Sequence, residues 1–405
     1  MATMTGTGYS SVQQPEPARR ERLVYLCDWL PPDFGAVGQY GLLFARQLAE
    51  EGRDVTLVGL SSREASESLE ALGEGRLRQI RMLAPTYDKA SLPRRLLWTA
   101  KVNTRLLWHI RRHLLATDTI LFTGSPPYLL HWLAPLNLLL RKKIIYRITD
   151  FHPECLIAQR QSAGFMTRVL YQLTMFWRRR VDEFEVLGND QLERLAEAGI
   201  SRERVRLKRD PSPVLFDSTT QPLPRPAAAG TKLLLLYSGN WGVAHDYQTF
   251  LSGYQMHCRR GTGRFVLWLN AVGSAVRAIE AELARRQLPY IRRTPVPLEQ
   301  LAQLLITPDA HLITLSDAFV GFVLPSKVHA CIESGRPIVY IGSARSDVHS
   351  LCVQRMRAPY ARVEIDDVEG CWRALEGLAR IVDGELGHRT MQEIGSTNSR
   401  AEPGG

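Results

Sequence analysis

The chain lacks paired cysteines: its six, at 27, 155, 258, 331, 352 and 371, stand far apart and none form a CxxC. That excludes a zinc ribbon or a dithiol redox motif and fits a reducing compartment. Long apolar runs are missing too. The longest, "YLLHWLAPLNLLL" at 128–140, is too short for a bilayer and is interrupted by His131, Pro135 and Asn137, so no spanning helix is expected. Acidic residues are the minority charge, 41 Asp and Glu against 51 Lys and Arg, and the formal net charge of +10 favours an anionic partner: nucleic acid, a membrane surface or a phosphorylated substrate. The first twenty residues have no apolar core and are rich in Gly, Ser, Thr, Gln and Pro. They read as a disordered tail (1–21) and not as a signal peptide, so a cytoplasmic location is expected.

What is present is an alternation of apolar strands and helices over 405 residues, 45% of them hydrophobic and 23% charged, enough for two α/β domains. "LVYLC" (23–27), a Pro/Gly loop, a helix with Leu42, Leu43, Ala45 and Leu48 on its apolar face, and a strand at 55–59 form one β-α-β unit. Strands follow at 119–124, 143–149, 183–188 and 204–208, closing a first doubly wound domain at 22–216. A Pro/Ala/Gly/Thr-rich linker (217–231) leads to a second at 232–389, with strands at 232–242, 264–270, 310–316 and 337–342, and the end (390–405) reads as a tail. Two such domains would face each other across a cleft lined by the carboxyl ends of their strands.

Three segments point into that cleft. Gly35 and Gly38 lie in the first strand-to-helix loop, either to admit a ligand or only to permit the turn. In "GFVLPSKVHACIESGRPIVYIG" (321–342), Pro325, Ser326 and Lys327 stand at a helix start, where free N–H groups and a cation suit a phosphate. The other reading there is a simple cap with Lys327 as a solvated charge. Asp150 and His152 in "YRITDFHPE" follow a strand end, with a turn or helix cap as the alternative role.

These segments, together with "PPDFGAVGQYGLLFARQLAEEGRDVTLVG" and "LLLLYSGNWGVAHDYQTFL", resemble the retaining family-4 glycosyltransferases of GT-B fold, in particular the bacterial polysaccharide branch similar to the fucosamine transferase of O-antigen synthesis. The resemblance covers most of the chain. It implies a nucleotide-sugar donor held by Leu324, Pro325, Ser326, Lys327, Asn240, Gly242 and His245, with Gly35 and Gly38 opposite and Asp150 and His152 on the catalytic, acceptor-contacting side. It implies no protein nucleophile, the leaving diphosphate taking the acceptor's proton. The chain departs from the family at three positions: Phe322 and Ala330 stand where a pair of glutamates is usual, and His245 where a lysine or arginine faces the phosphates. No metal-binding cluster such as DxD appears, so neither a cofactor nor an essential metal is expected.

Residues 91–118 carry two stripes. Arg94, Trp98, Lys101, Arg105, Trp108 and Arg112 recur at spacings of four and three, and Leu96, Ala100, Asn103, Leu107, Ile110 and Leu114 repeat them two positions later, about 200° away on a helix. One stripe can pack on the sheet while the cationic one lies on an anionic membrane surface; a solvated basic helix is the alternative. No nucleic-acid motif accompanies the charge. The expected activity is therefore transfer of a sugar, with retention, to a lipid-linked saccharide or polysaccharide at the inner face of the plasma membrane. A GT-B sugar-nucleotide 2-epimerase and a non-catalytic binding subunit are the alternatives.

Overall fold

The computed structural model describes residues 20–33, 36–86, 92–160 and 164–398. Most of the expected amino-terminal tail, Gly35 and residues 399–405 lie outside that set.

The first domain runs β1 (Arg22–Trp29), α1 (Ala36–Glu50), β2 (Asp54–Ser61), β3 (Ser66–Leu72), β4 (Gly75–Leu83), α2 (Leu92–His109), α3 (Arg111–Ala116), β5 (Thr119–Thr123), α4 (Leu130–Leu140), β6 (Lys143–Ile148), α5 (Glu154–Arg160), α6 (Phe165–Arg178), β7 (Glu183–Val186), α7 (Asn189–Glu197) and β8 (Val205–Leu207). Its sheet has the order β3-β4-β2-β1-β5-β6-β7-β8 and is parallel except for β3, which pairs antiparallel with β4. Both faces are covered: Val24 and Leu26 pack under the layer of α2, α4 and α6, whereas Leu23, Tyr25 and Cys27 face α1. Burial on both sides is why these strands read as unbroken apolar runs.

The second domain runs β9 (Leu233–Asn240), α8 (Gln248–Arg259), β10 (Phe265–Val272), α9 (Val276–Arg285), β11 (Tyr290–Arg292), α10 (Leu301–Ile306), β12 (Ala310–Thr314), α11 (Lys327–Glu333), β13 (Ile338–Ile341), α12 (Asp347–Arg355), β14 (Tyr360–Val363) and α13 (Val368–Asn398). All six strands are parallel, in the order β11-β10-β9-β12-β13-β14. The strand order reverses beside β1 in one sheet and beside β9 in the other, and in open sheets that is where ligands bind.

The structure adds strands β3, β4, β11 and β14 to those expected and changes two helices. Helix α13 continues to Asn398, through most of the stretch expected to be a tail. The single basic helix is two, because the backbone turns at Ile110 between α2 and α3.

The domains are fastened together by polar side chains. The Asp347 carboxylate, almost fully buried at the start of α12, pairs with Arg209 and accepts from Asn189 Nδ2 at 3.2 Å, while the Asp347 amide donates to Asp190 at 3.0 Å. Arg194 on α7 reaches the Val320 carbonyl at 3.2 Å and lies 4.8 Å over the ring of Phe322.

Candidate active site in the interdomain cleft

A cleft of about 1110 Å³ separates the domains. Its walls come from the carboxyl ends of β1 (Asp28, Trp29) and β9 (Ser238, Gly239, Asn240), from α1 (Tyr40), and from the segment Val323 to Lys327.

Lys327 is the pivotal group. It opens α11, its side chain is folded inward, and its ammonium nitrogen sits 3.3 Å over the Tyr237 ring with no hydrogen-bond partner. Tyr237 is itself held by stacking on Trp241 at 3.6 Å. Desolvation lowers the Lys327 pKa to about 7, since a charged ammonium loses water there and the ring returns only part of that loss. An anion entering the cleft would supply the missing partner. Gly239 lies beside it at φ +110, a conformation that favours glycine.

His245 lies beside the lysine, and its Nδ1 is 2.6 Å from the Thr314 carbonyl. A carbonyl can only accept, so Nδ1 carries the proton and Nε2 of the neutral ring carries none. Burial, with Lys327 nearby, lowers its pKa to about 3. His245 therefore offers a phosphate no N–H from Nε2 until it is protonated. Ser326 is not a helix cap: its side chain makes no capping bond, and its hydroxyl faces that of Tyr40 across the cleft. That contact argues against the plain capping role.

On the opposite wall, Asp150 is the junction between the two motifs read from sequence. It forms an isolated antiparallel bridge with Val323, and the adjacent Phe151 amide donates to the Phe322 carbonyl at 3.0 Å. "YRITDFHPE" and "GFVLPSK" thus lie side by side, one from each domain. Burial, and secondly the charge of Asp28, raises the Asp150 pKa to about 6. Below them Arg147 bridges Glu185 and Asp210, both at 2.7 Å, and this buried triad braces the cleft floor.

Of the donor-side residues named from sequence, Asn240, His245, Leu324, Pro325, Ser326 and Lys327 line the cleft, as does Asp150. Gly242, Gly38 and His152 are not among the lining residues. Gly38 serves packing: a Cβ there would fall 1.7 Å from the Trp29 carbonyl oxygen, so only glycine lets α1 close on the end of β1. His152 turns its ring toward Tyr128, with centroids 6.2 Å apart. Phe322 packs between Arg194 and Phe151, a structural role at the domain junction. Ala330 lines the cleft without a polar atom.

Sequence reasoning missed Asp28, Tyr40, Arg81, Asn270 and Glu299, all of them lining residues. Asp28 was the most findable, directly after the apolar run of the first strand. Among the outward stripe, Arg94, Lys101, Arg105, Trp108 and Arg112 are exposed, and Asn103, Leu107, Ile110 and Leu114 are buried as the opposite stripe requires. Trp98 breaks the pattern: its Nε1 donates to the Pro85 carbonyl at 2.7 Å and its ring stacks on Trp29 at 6.3 Å, toward the cleft. Among the described residues, no group of three or more His, Cys, Asp or Glu side chains is arranged to hold a metal, and no helix is long and apolar enough to cross a membrane.

No protein-family model matches the chain, and no curated protein matches its sequence. Its fold is similar to that of WaaG, a glycosyltransferase involved in lipopolysaccharide biosynthesis (14% identity, 88% of this chain and 90% of that chain, TM-score 0.57). It is similar to alpha,alpha-trehalose 6-phosphate synthase from Burkholderia multivorans (11% identity, 95% and 99%, TM-score 0.60). It is also similar to Anabaena Alr3699/HepE, solved in complex with UDP and glucose (11% identity, 94% and 100%, TM-score 0.54). The architecture is GT-B: two doubly wound α/β domains facing each other across a cleft.

Proposed function

We propose that this protein is a glycosyltransferase of the retaining family-4 type, from its polysaccharide-building branch. It moves a sugar from a nucleoside-diphosphate donor on the second domain to a lipid-linked or polysaccharide acceptor on the first, at an anionic membrane surface inside the cell. A fold hosts many activities, so the reading rests on the site. The observation that carries it is Lys327, a buried ammonium with no hydrogen-bond partner, aimed into a large interdomain cleft beside glycine and hydroxyl groups. The neighbour solved with UDP and glucose supports a nucleotide-sugar donor.

In this mechanism Lys327 meets the diphosphate oxygens and offsets the charge that builds there as the bond to the sugar breaks. The sugar then extends toward Asp150 and Asp28, whose carboxylates stabilise the positive charge at the anomeric carbon. The acceptor hydroxyl attacks from the face the diphosphate leaves, its proton passing to a departing phosphate oxygen, which retains configuration. Asp150 is a positioning and charge-stabilising group in this scheme and never a covalent nucleophile. No essential metal takes part, so transfer continues undiminished in excess chelator.

The test is a panel of nucleotide sugars incubated with the full chain, followed by release of the nucleoside diphosphate. Release with at least one donor, lost in Lys327→Ala, supports the reading. Interconversion of donor epimers identifies an epimerase instead, and binding without turnover toward any acceptor identifies a non-catalytic subunit.

A further inference from the structure

Helix α6 is apolar on the wrong side for folding. Thr167, Thr174, Met175 and Arg178 already turn inward, Arg178 onto the buried Glu154. Yet Phe165, Met166, Val169, Leu173 and Phe176 all face out, the first two 79% and 77% exposed. At about 100° per residue these five fall within roughly 100° of arc, a continuous apolar strip on the outer surface of a short helix. Lone exposed apolar residues are ordinary; five on one helix face are not.

Charge decides what can cover the strip. Helices α2, α3, α4 and α6 contain no Asp or Glu. The strip is flanked by Arg168 and Arg180, whose guanidinium lies 3.6 Å over Phe176, and the adjoining helical layer adds Lys101, Arg105 and the exposed Trp108. A second copy pairing through this face would oppose cation to cation. An anionic bilayer complements both features, taking the strip into its acyl boundary and the arginines at its headgroups.

We infer that α6 is the element that inserts its apolar strip into an anionic lipid surface, with α2 supplying charge beside it. The inference rests on the membrane-surface part of the proposed function, but its failure is separable because the donor cleft uses other residues.

The test is sedimentation of the full chain with vesicles of neutral phosphatidylcholine and of phosphatidylcholine mixed with phosphatidylglycerol. The parent is expected to bind the anionic vesicles, less so at high salt. Leu173→Ser with Phe176→Ser is expected to weaken that binding more than about tenfold while leaving circular dichroism and nucleoside-diphosphate affinity unchanged. Should this pair unfold the protein, Phe165→Ser with Met166→Ser, at the most exposed end of the strip, is the second variant, with the same expectation. A parent that ignores both vesicle types, a folded variant that sediments as well as the parent, or a parent dimer that the variant converts to monomer each overturns the inference; the last assigns the face to a contact between copies. A parent that binds anionic vesicles but no nucleoside diphosphate would overturn the proposed activity and leave the vesicle result standing.

Discussion

The two walls of the cleft carry mixed charge, with Arg81 on the first and Glu299 on the second, but the groups that burial displaces on them are of opposite sign. The second domain presents one ammonium, Lys327, without an ion-pair partner and pushed toward neutrality; the first presents Asp28 and Asp150, with Asp150 pushed toward its protonated form. Lys327 and Asp150 are displaced toward their neutral forms by the same cause, burial. The contrast teaches how the cleft can sort a polar substrate. An anionic leaving group settles on the lysine wall and a carbon that becomes positive settles on the carboxylate wall. The interdomain bridge between Asp150 and Val323 fixes the spacing between them.

Breaking the carboxylate wall is expected to have the largest effect. Asp150→Asn keeps the shape and the bridge, removes the negative charge, and is expected to lower turnover about 100- to 1000-fold, the scale for removing one preorganised electrostatic contact. Donor affinity measured by calorimetry should change little; equal losses in both would show that Asp150 only supports the fold.

The next effect is on pH dependence. Lys327 titrates near 7 and is mostly neutral above that, so a diphosphate must recruit a proton to it. Nucleoside-diphosphate affinity is expected to fall as pH rises from 7 to 9, by up to about tenfold per unit, with proton uptake visible when titrations are repeated in buffers of different ionisation enthalpy. An affinity flat over that range would leave Lys327 outside the binding event.

The smallest effect is on stability. The folded pKa of Lys327 lies below its unfolded value of about 10.5, so between pH 7 and 10 the unfolded chain holds a proton the native one lacks, and native stability rises with pH. Lys327→Met removes that slope and is expected to stabilise the protein at pH 7, read as a higher thermal midpoint. The same change should weaken donor binding, a trade of stability against function.

Much of this was legible in the sequence. Strands buried on both faces announced themselves as apolar runs, and the Pro-Ser-Lys step gave away the cleft's cation. The β3–β4 hairpin did not show: β3 is an exposed edge strand rich in Ser and Glu that pairs with β4 through contacts such as Glu67 with Arg78, and the buried Leu77, Ile80 and Met82 of β4 are separated by arginines and a glutamine. Orientation was the other blind spot. Helical counting set Trp98 on the outer stripe, but a long indole can swing to a carbonyl and a neighbouring ring, and His152 and Phe322 likewise face partners far away in the chain. The apolar strip of α6 was hidden because its inward face carries threonines and an arginine, so the helix gives no simple inside-outside pattern.

The most direct test of the account is calorimetric titration of a nucleoside diphosphate into the parent and into Lys327→Ala at pH 7. One charge-assisted phosphate contact is typically worth about 1.5 to 3 kcal/mol, so the variant is expected to bind about 10- to 150-fold more weakly with its fold intact. Equal affinities in the two proteins would contradict the account, because the buried ammonium would then face no phosphate.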